Sequence, residues 1–113
     1  MAVLAQAAEG YAGGHYFVIV DGIVGPWFLY PFRKLKQPIH YIVLRPELDA
    51  AIGRCRQRGG EELSDLMPIT ELHRQFSSLG EFENHAIATA GQDPQETLAA
   101  VWTALQSGNY RLY

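Results

Sequence analysis

The chain has 113 residues, 48% hydrophobic, 19% charged and 12% aromatic, with 11 Gly and 6 Pro; this composition fits one globular domain and excludes disorder as its main state. Nine bases against twelve acids leave a net charge of −3, so no basic field exists to hold a nucleic-acid backbone. The single cysteine, Cys55, excludes an internal disulfide and a thiolate zinc site, and the longest uncharged stretch, Thr97 to Tyr110, falls short of the ~20 apolar residues of a membrane span.

Met1 to Ala8 has no base ahead of its short apolar part and reaches Glu9 at once, so it reads as a helix and not as a signal peptide. The chain is therefore expected in the cytoplasm. Val3, Leu4, Ala7 and Ala8 mark one side of that helix, which the pattern ends near Gly10, with a turn at Gly13-Gly14. Tyr16-Phe-Val-Ile-Val20 is a continuous apolar run closed by Asp21-Gly22. Without alternation it reads as a strand covered on both faces, as in a parallel sheet. Ile39 to Leu44 is a second run of the same kind, closed by Arg45-Pro46.

Pro46 suits a first helical turn, and Leu48, Ala51, Ile52 and Cys55 follow at helical spacing up to Gly59-Gly60. Ile69, Leu72, Phe76 and Leu79 form another helical stripe, ended by Gly80. His85 to Ala90 is a weaker strand. Asp93-Pro94-Gln95-Glu96 opens a last helix, with Asp as cap and Pro at the first position. Leu98, Val101, Trp102 and Leu105 are its expected core face, and Gly108 closes it. Helices and strands alternate, which predicts an α/β domain with a parallel sheet of about three strands and flanking helices.

In open α/β sheets ligands bind beyond the carboxyl ends of the strands. That rule selects Asp21 after the first strand, Arg45 after the second and Thr89 after the third. Asp21 is either a carboxylate for Mg²⁺ or a hydroxyl proton, or a cap of the turn at Gly22. Arg54 and Arg58 share a helix face, so their two planar forks converge on a polyphosphate or pair with Glu61, Glu62 and Asp65. Trp27, Phe28, Tyr30 and Phe32 line a pocket, fill the core or form an oligomer contact. The four histidines show no metal-ligand spacing, and no serine sits in a nucleophile-elbow pattern.

Together, Phe17-Val-Ile-Val-Asp21-Gly22-Ile-Val-Gly-Pro26 and Tyr41-Ile-Val-Leu-Arg45-Pro46, followed by Leu48, Ala51, Arg54 and Arg58, resemble the third and fourth strands, helix and lid of P-loop kinases that phosphorylate small molecules. Gluconate-kinase-like, adenylate-kinase-like and chloramphenicol-phosphotransferase-like enzymes are the nearest in pattern. The His85 strand and the Asp93-to-Leu105 helix fall where that family has its last strand and helix, so the likeness spans nearly the whole chain and the carboxyl-terminal half of the family's domain.

The resemblance implies ATP and Mg as cofactors and a small hydroxylated acceptor as substrate. It makes Asp21 the catalytic and metal-binding carboxylate and Arg54, Arg58 and Arg45 the nucleotide contacts. Arg33, Trp27 and Phe28 would meet the acceptor. The departure is that no G-x-x-x-x-G-K-[ST] loop occurs in these residues, and the only lysines, Lys34 and Lys36, do not follow a glycine. Phosphoryl transfer depends on that phosphate cradle, so the 113 residues alone are expected to be inactive. The family also places its P-loop strand between the two strands matched here, which predicts a gap in the sheet and a homo-oligomer formed through the exposed edge and segment 27–32. The alternative function is a non-catalytic α/β module acting by self-association or partner binding.

Overall fold

A computed structural model describes residues 1–48, 53 and 67–112. The chain divides into two compact units, residues 1–41 with 111–113 and residues 42–110.

The first unit opens with α1, Ala2–Gly13. Alanine-rich sequence carries this helix straight through Gly10, three residues past the end expected from that glycine. It stops with His15 in the left-handed region at φ 71°, donating its N–H to the Ala12 carbonyl at 3.1 Å. Histidine tolerates this conformation better than branched residues do. Of the expected apolar stripe little is buried: Val3 is 80% exposed, whereas Ala5 is 2% exposed and forms the contact face. Gly25-Pro26 then starts a 3₁₀ turn, Pro26–Phe28, and α2 follows over Tyr30–Arg33. Helices α1 and α2 pack together, and Lys36 donates its backbone N–H to Glu9 Oε1 at 3.1 Å. Leu29, Phe32 and Tyr41 complete this small core. The Tyr41 hydroxyl donates to the Val24 carbonyl at 2.7 Å, and burial pushes its phenol up to about 12.

The expected strand Tyr16–Val20 does not form. These residues belong to no ladder, with Phe17 75% and Ile19 78% exposed. A strand buried on both faces needs neighbours in the sheet and layers above and below. None covers this run among the described residues.

The second unit holds the sheet: β1, Val43–Arg45, pairs in parallel with β2, Ala86–Ala88, and Val43 lies opposite Ala86. The chain is thus α/β with a parallel sheet, of two strands and not about three among the described residues. The apolar run from Ile39 divides: His40 bridges antiparallel to Arg111, and only Val43 onward joins the parallel pair. Between the strands lies α3, Met67–Ser77, as the Leu72–Phe76 spacing requires. Much of the helix expected from Leu48 to Cys55 lies outside the described residues. A 3₁₀ segment, Gly80–His85, leads into β2.

The last helix, α4, spans Pro94–Ser107. Asp93 Oδ1 accepts the Glu96 N–H at 2.8 Å, and the Glu96 carboxylate accepts from the Asp93 N–H, a reciprocal cap that satisfies two otherwise orphan donors. Gly108 ends it at φ 73°. Its buried residue is Ala104, while Leu98 and Trp102 of the expected core face are 68% and 59% exposed. Val101 and Leu105 of that face are half-buried, so the helix turns its Val101–Ala104–Leu105 side inward and leaves Leu98 and Trp102 outside. Among the described residues no helix is long and apolar enough to cross a membrane.

Candidate functional site at the carboxyl ends of the parallel strands

Two of the residues selected by the strand-end rule meet where β1 and β2 finish. Thr89 donates its backbone N–H to the Arg45 carbonyl at 3.2 Å, extending the ladder by one bond. The turn behind it is closed by Gln92 N–H to the Thr89 carbonyl at 3.1 Å, with Gly91 at φ 75°. Gln92 Oε1 accepts from the Thr97 hydroxyl at 3.1 Å, which ties this turn to α4.

Thr89 is 4% exposed, and its Oγ1 has no hydrogen-bond partner among the described residues. An unmatched buried hydroxyl is costly. It lies at the carboxyl end of the parallel pair, the end that the strand-end rule selects.

Arg45 is engaged differently. Its Nη1 and Nη2 donate to Glu83 Oε1 and Oε2 at 2.8 and 3.0 Å, a bidentate pair. Nη1 also donates to the Phe76 and Ser77 carbonyls at 3.2 and 3.4 Å, so the guanidinium caps the end of α3. Glu83 in turn accepts the Leu79 N–H at 2.7 Å. Arg45 therefore ties β1 to α3 and to the 3₁₀ segment. Glu83 was not visible as its partner in the sequence, because the two lie far apart and nothing local links them.

The Arg45 fork, followed by the Leu79 N–H, holds the Glu83 carboxyl down to about 2. A carboxylate whose folded value lies below its unfolded one near 4.5 stabilises the fold fully above that unfolded value. The contribution fades as the pH falls through the window and is gone below about 2. Wild type is thus expected to exceed Glu83→Gln in denaturant midpoint at neutral pH, with the two converging in acid. Parallel denaturant titrations across that range check this, and a pH-independent difference would show that the ion pair is not its source.

The remaining sequence candidates lie in the first unit or outside the described residues. Asp21 is exposed beside the bend at Gly22. Trp27 and Phe28 are 51% and 39% exposed, in a tilted ring pair with centroids 6.0 Å apart, and Arg33 is exposed at the end of α2. They lie along one stretch of chain. Arg54 and Arg58 lie outside the described residues. No cluster of three metal-ligating side chains occurs among the described residues. A single Asp is nonetheless compatible with Mg²⁺, which is commonly held by one or two carboxylates with the substrate's phosphates completing its shell.

Compared with known proteins, the chain matches no family model and no curated protein.

Proposed function

We propose that this chain is kinase-like: the acid-bearing and lid-bearing part of a domain that transfers a phosphoryl group from ATP to a small hydroxylated acceptor in the cytoplasm. The observation that carries the reading is the parallel β1–β2 pair, at whose carboxyl ends lies the buried Thr89 hydroxyl, without a hydrogen-bond partner among the described residues. In this reading Asp21 holds Mg²⁺ or accepts the acceptor's hydroxyl proton, and Arg54 and Arg58 bind ATP phosphates. Arg33, Trp27 and Phe28 form the acceptor side. Arg45, engaged with Glu83, supports the strand end and reaches nucleotide only if that pair opens. The 113 residues contain no G-x-x-x-x-G-K-[ST] phosphate cradle, so alone they bind nucleotide weakly and do not turn over.

The experiment is a nuclear magnetic resonance titration with millimolar Mg·ATP. Amide shifts at Thr89 and around Asp21, lost on combining Arg54→Ala with Arg58→Ala, are expected. Spectra unchanged by millimolar nucleotide would overturn the reading.

A second reading, a non-catalytic module working through association, is favoured by one specific observation. Tyr16, Phe17, Ile19, Ile23, Trp27 and Tyr30 are all more than half exposed within fifteen residues. Clustering of large apolar side chains in solvent marks interaction surfaces in folded proteins. Unchanged spectra with ATP, together with association of the chain, would select it.

A further inference from the structure

The two units carry opposite charge. In the unit of residues 1–41 and 111–113, Arg33, Lys34, Lys36 and Arg111 stand against Glu9 and Asp21, a net +2. Among the described residues of 42–110, two arginines stand against six acids, a net −4. Both of those arginines already pair within the unit, Arg45 with Glu83 and Arg74 with Glu71.

The units also carry surfaces of opposite relief. In the first, Phe17 and Ile19 are the most exposed residues of the apolar run, while Val18 between them is half-buried. They flank the half-buried Val18, so two large apolar side chains stand in solvent on this short segment. In the second, an open groove of about 500 Å³ lies along β2 and α4, lined by Ile87, Ala99, Ala100, Thr103, Ala104 and Tyr110 among others. Its helix wall is made of short side chains, which leaves room for long ones. Glu96 precedes Ala99 and Ala100 by one turn on the same helix face, and Asp93 caps that end. The groove therefore has acid at one end.

We propose that a second copy of this chain docks head to tail: the Phe17–Ile19 face of one copy enters the β2–α4 groove of the next. The basic unit of each copy meets the acidic unit of its neighbour. The proposal rests on the association reading and names its surfaces, and it uses neither Asp21 nor Arg54 nor Arg58. A second copy accounts for both features at once. An anionic membrane would attract the basic unit but leave the groove open. Because donor and acceptor surfaces differ, the contact is heterologous and continues into rings or chains.

Light scattering at micromolar protein tests this. Wild type is expected to show a mass at least twice 12.6 kDa, rising with concentration and falling in high salt. Phe17→Asp removes the protruding face, and Thr103→Trp, at an exposed position, fills the groove. Each variant alone is expected at the monomer mass. Mixed in equal amounts they are expected to recover a dimer, because each retains the surface the other lacks. Ala99→Arg serves as a second groove variant, and circular dichroism verifies that helix content is kept.

A wild-type monomer would overturn both the proposal and self-association. Association that survives both variants, or a mixture that stays monomeric, would overturn the head-to-tail contact while leaving association standing. Sedimentation with phosphatidylserine vesicles, without change of mass in their absence, would replace the second copy by a lipid surface.

Discussion

Phe32→Ala is expected to remove about 3–5 kcal/mol from the unit formed by residues 1–41 and 111–113, the usual cost of deleting a buried phenyl ring. Phe32 is 6% exposed and shares that core with Ala5, Leu29 and Tyr41. Few other side chains there are large enough to close the cavity it leaves. Set against the ~5–15 kcal/mol that holds ordinary domains folded, the loss leaves this unit marginal or unfolded. Trp27 reports the event, since it lies in the same unit five residues earlier, and Trp102→Phe silences the other tryptophan at an exposed position. A fall in the Trp27 denaturation midpoint is the expected result, with a smaller fall for Phe32→Leu, which keeps most of the volume. An unchanged midpoint for Phe32→Ala would mean that the ring does not support this core.

Thr89→Val is expected to act in the opposite direction, raising stability by about 1–2 kcal/mol. The swap keeps the shape of the side chain and removes a buried hydroxyl that has no partner among the described residues. An unsatisfied polar group of that kind costs ~1–3 kcal/mol, whereas removing it to leave an apolar surface is nearly free. The backbone bond from Thr89 to the Arg45 carbonyl stays intact. Thermal melts should rise by ~4–8 °C per kcal/mol gained in a domain of this size. If the hydroxyl is kept for a ligand, the same variant loses the Thr89 response to Mg·ATP while gaining stability. A less stable valine variant would show that the hydroxyl has a partner in the fold.

Local chemistry was the legible part of the sequence. The cap at Asp93 and the glycine stop at Gly108 follow from interactions within one turn, and the helix over Met67–Ser77 follows from the spacing of Ile69, Leu72 and Phe76. The parallel relation of β1 and β2 followed from alternation of helix and strand, which fixes direction without fixing length. What misled was apolar content read as burial. Tyr16–Val20 has the composition of an inner strand, yet a strand exists only when another chain segment supplies its hydrogen bonds. Leu98 and Trp102 fit a helical period as well as Val101, Ala104 and Leu105 do, and it is the side of Ala104 that faces inward.

The site divides along the same line. Thr89 and Arg45 were placed at the sheet's carboxyl end by topology alone. The Arg45–Glu83 pair depends on two side chains 38 positions apart, and no periodicity encodes such a meeting. The hydrogen bonds of Arg45 are therefore a property of the folded chain, although its position is a property of the sequence.

The register that sets Val43 opposite Ala86 also dictates an order of events as the chain folds. Helices α1 and α4 close through neighbours in sequence and form on the microsecond scale of local structure. Strand β1 must wait until residues 46–85 have closed into a loop, an entropic step that local pairing never faces. During synthesis β1 emerges from the ribosome well before its partner exists. Through that interval Val43–Arg45 is unpaired, so this part of the newly made chain is most adhesive before Ala88 has appeared.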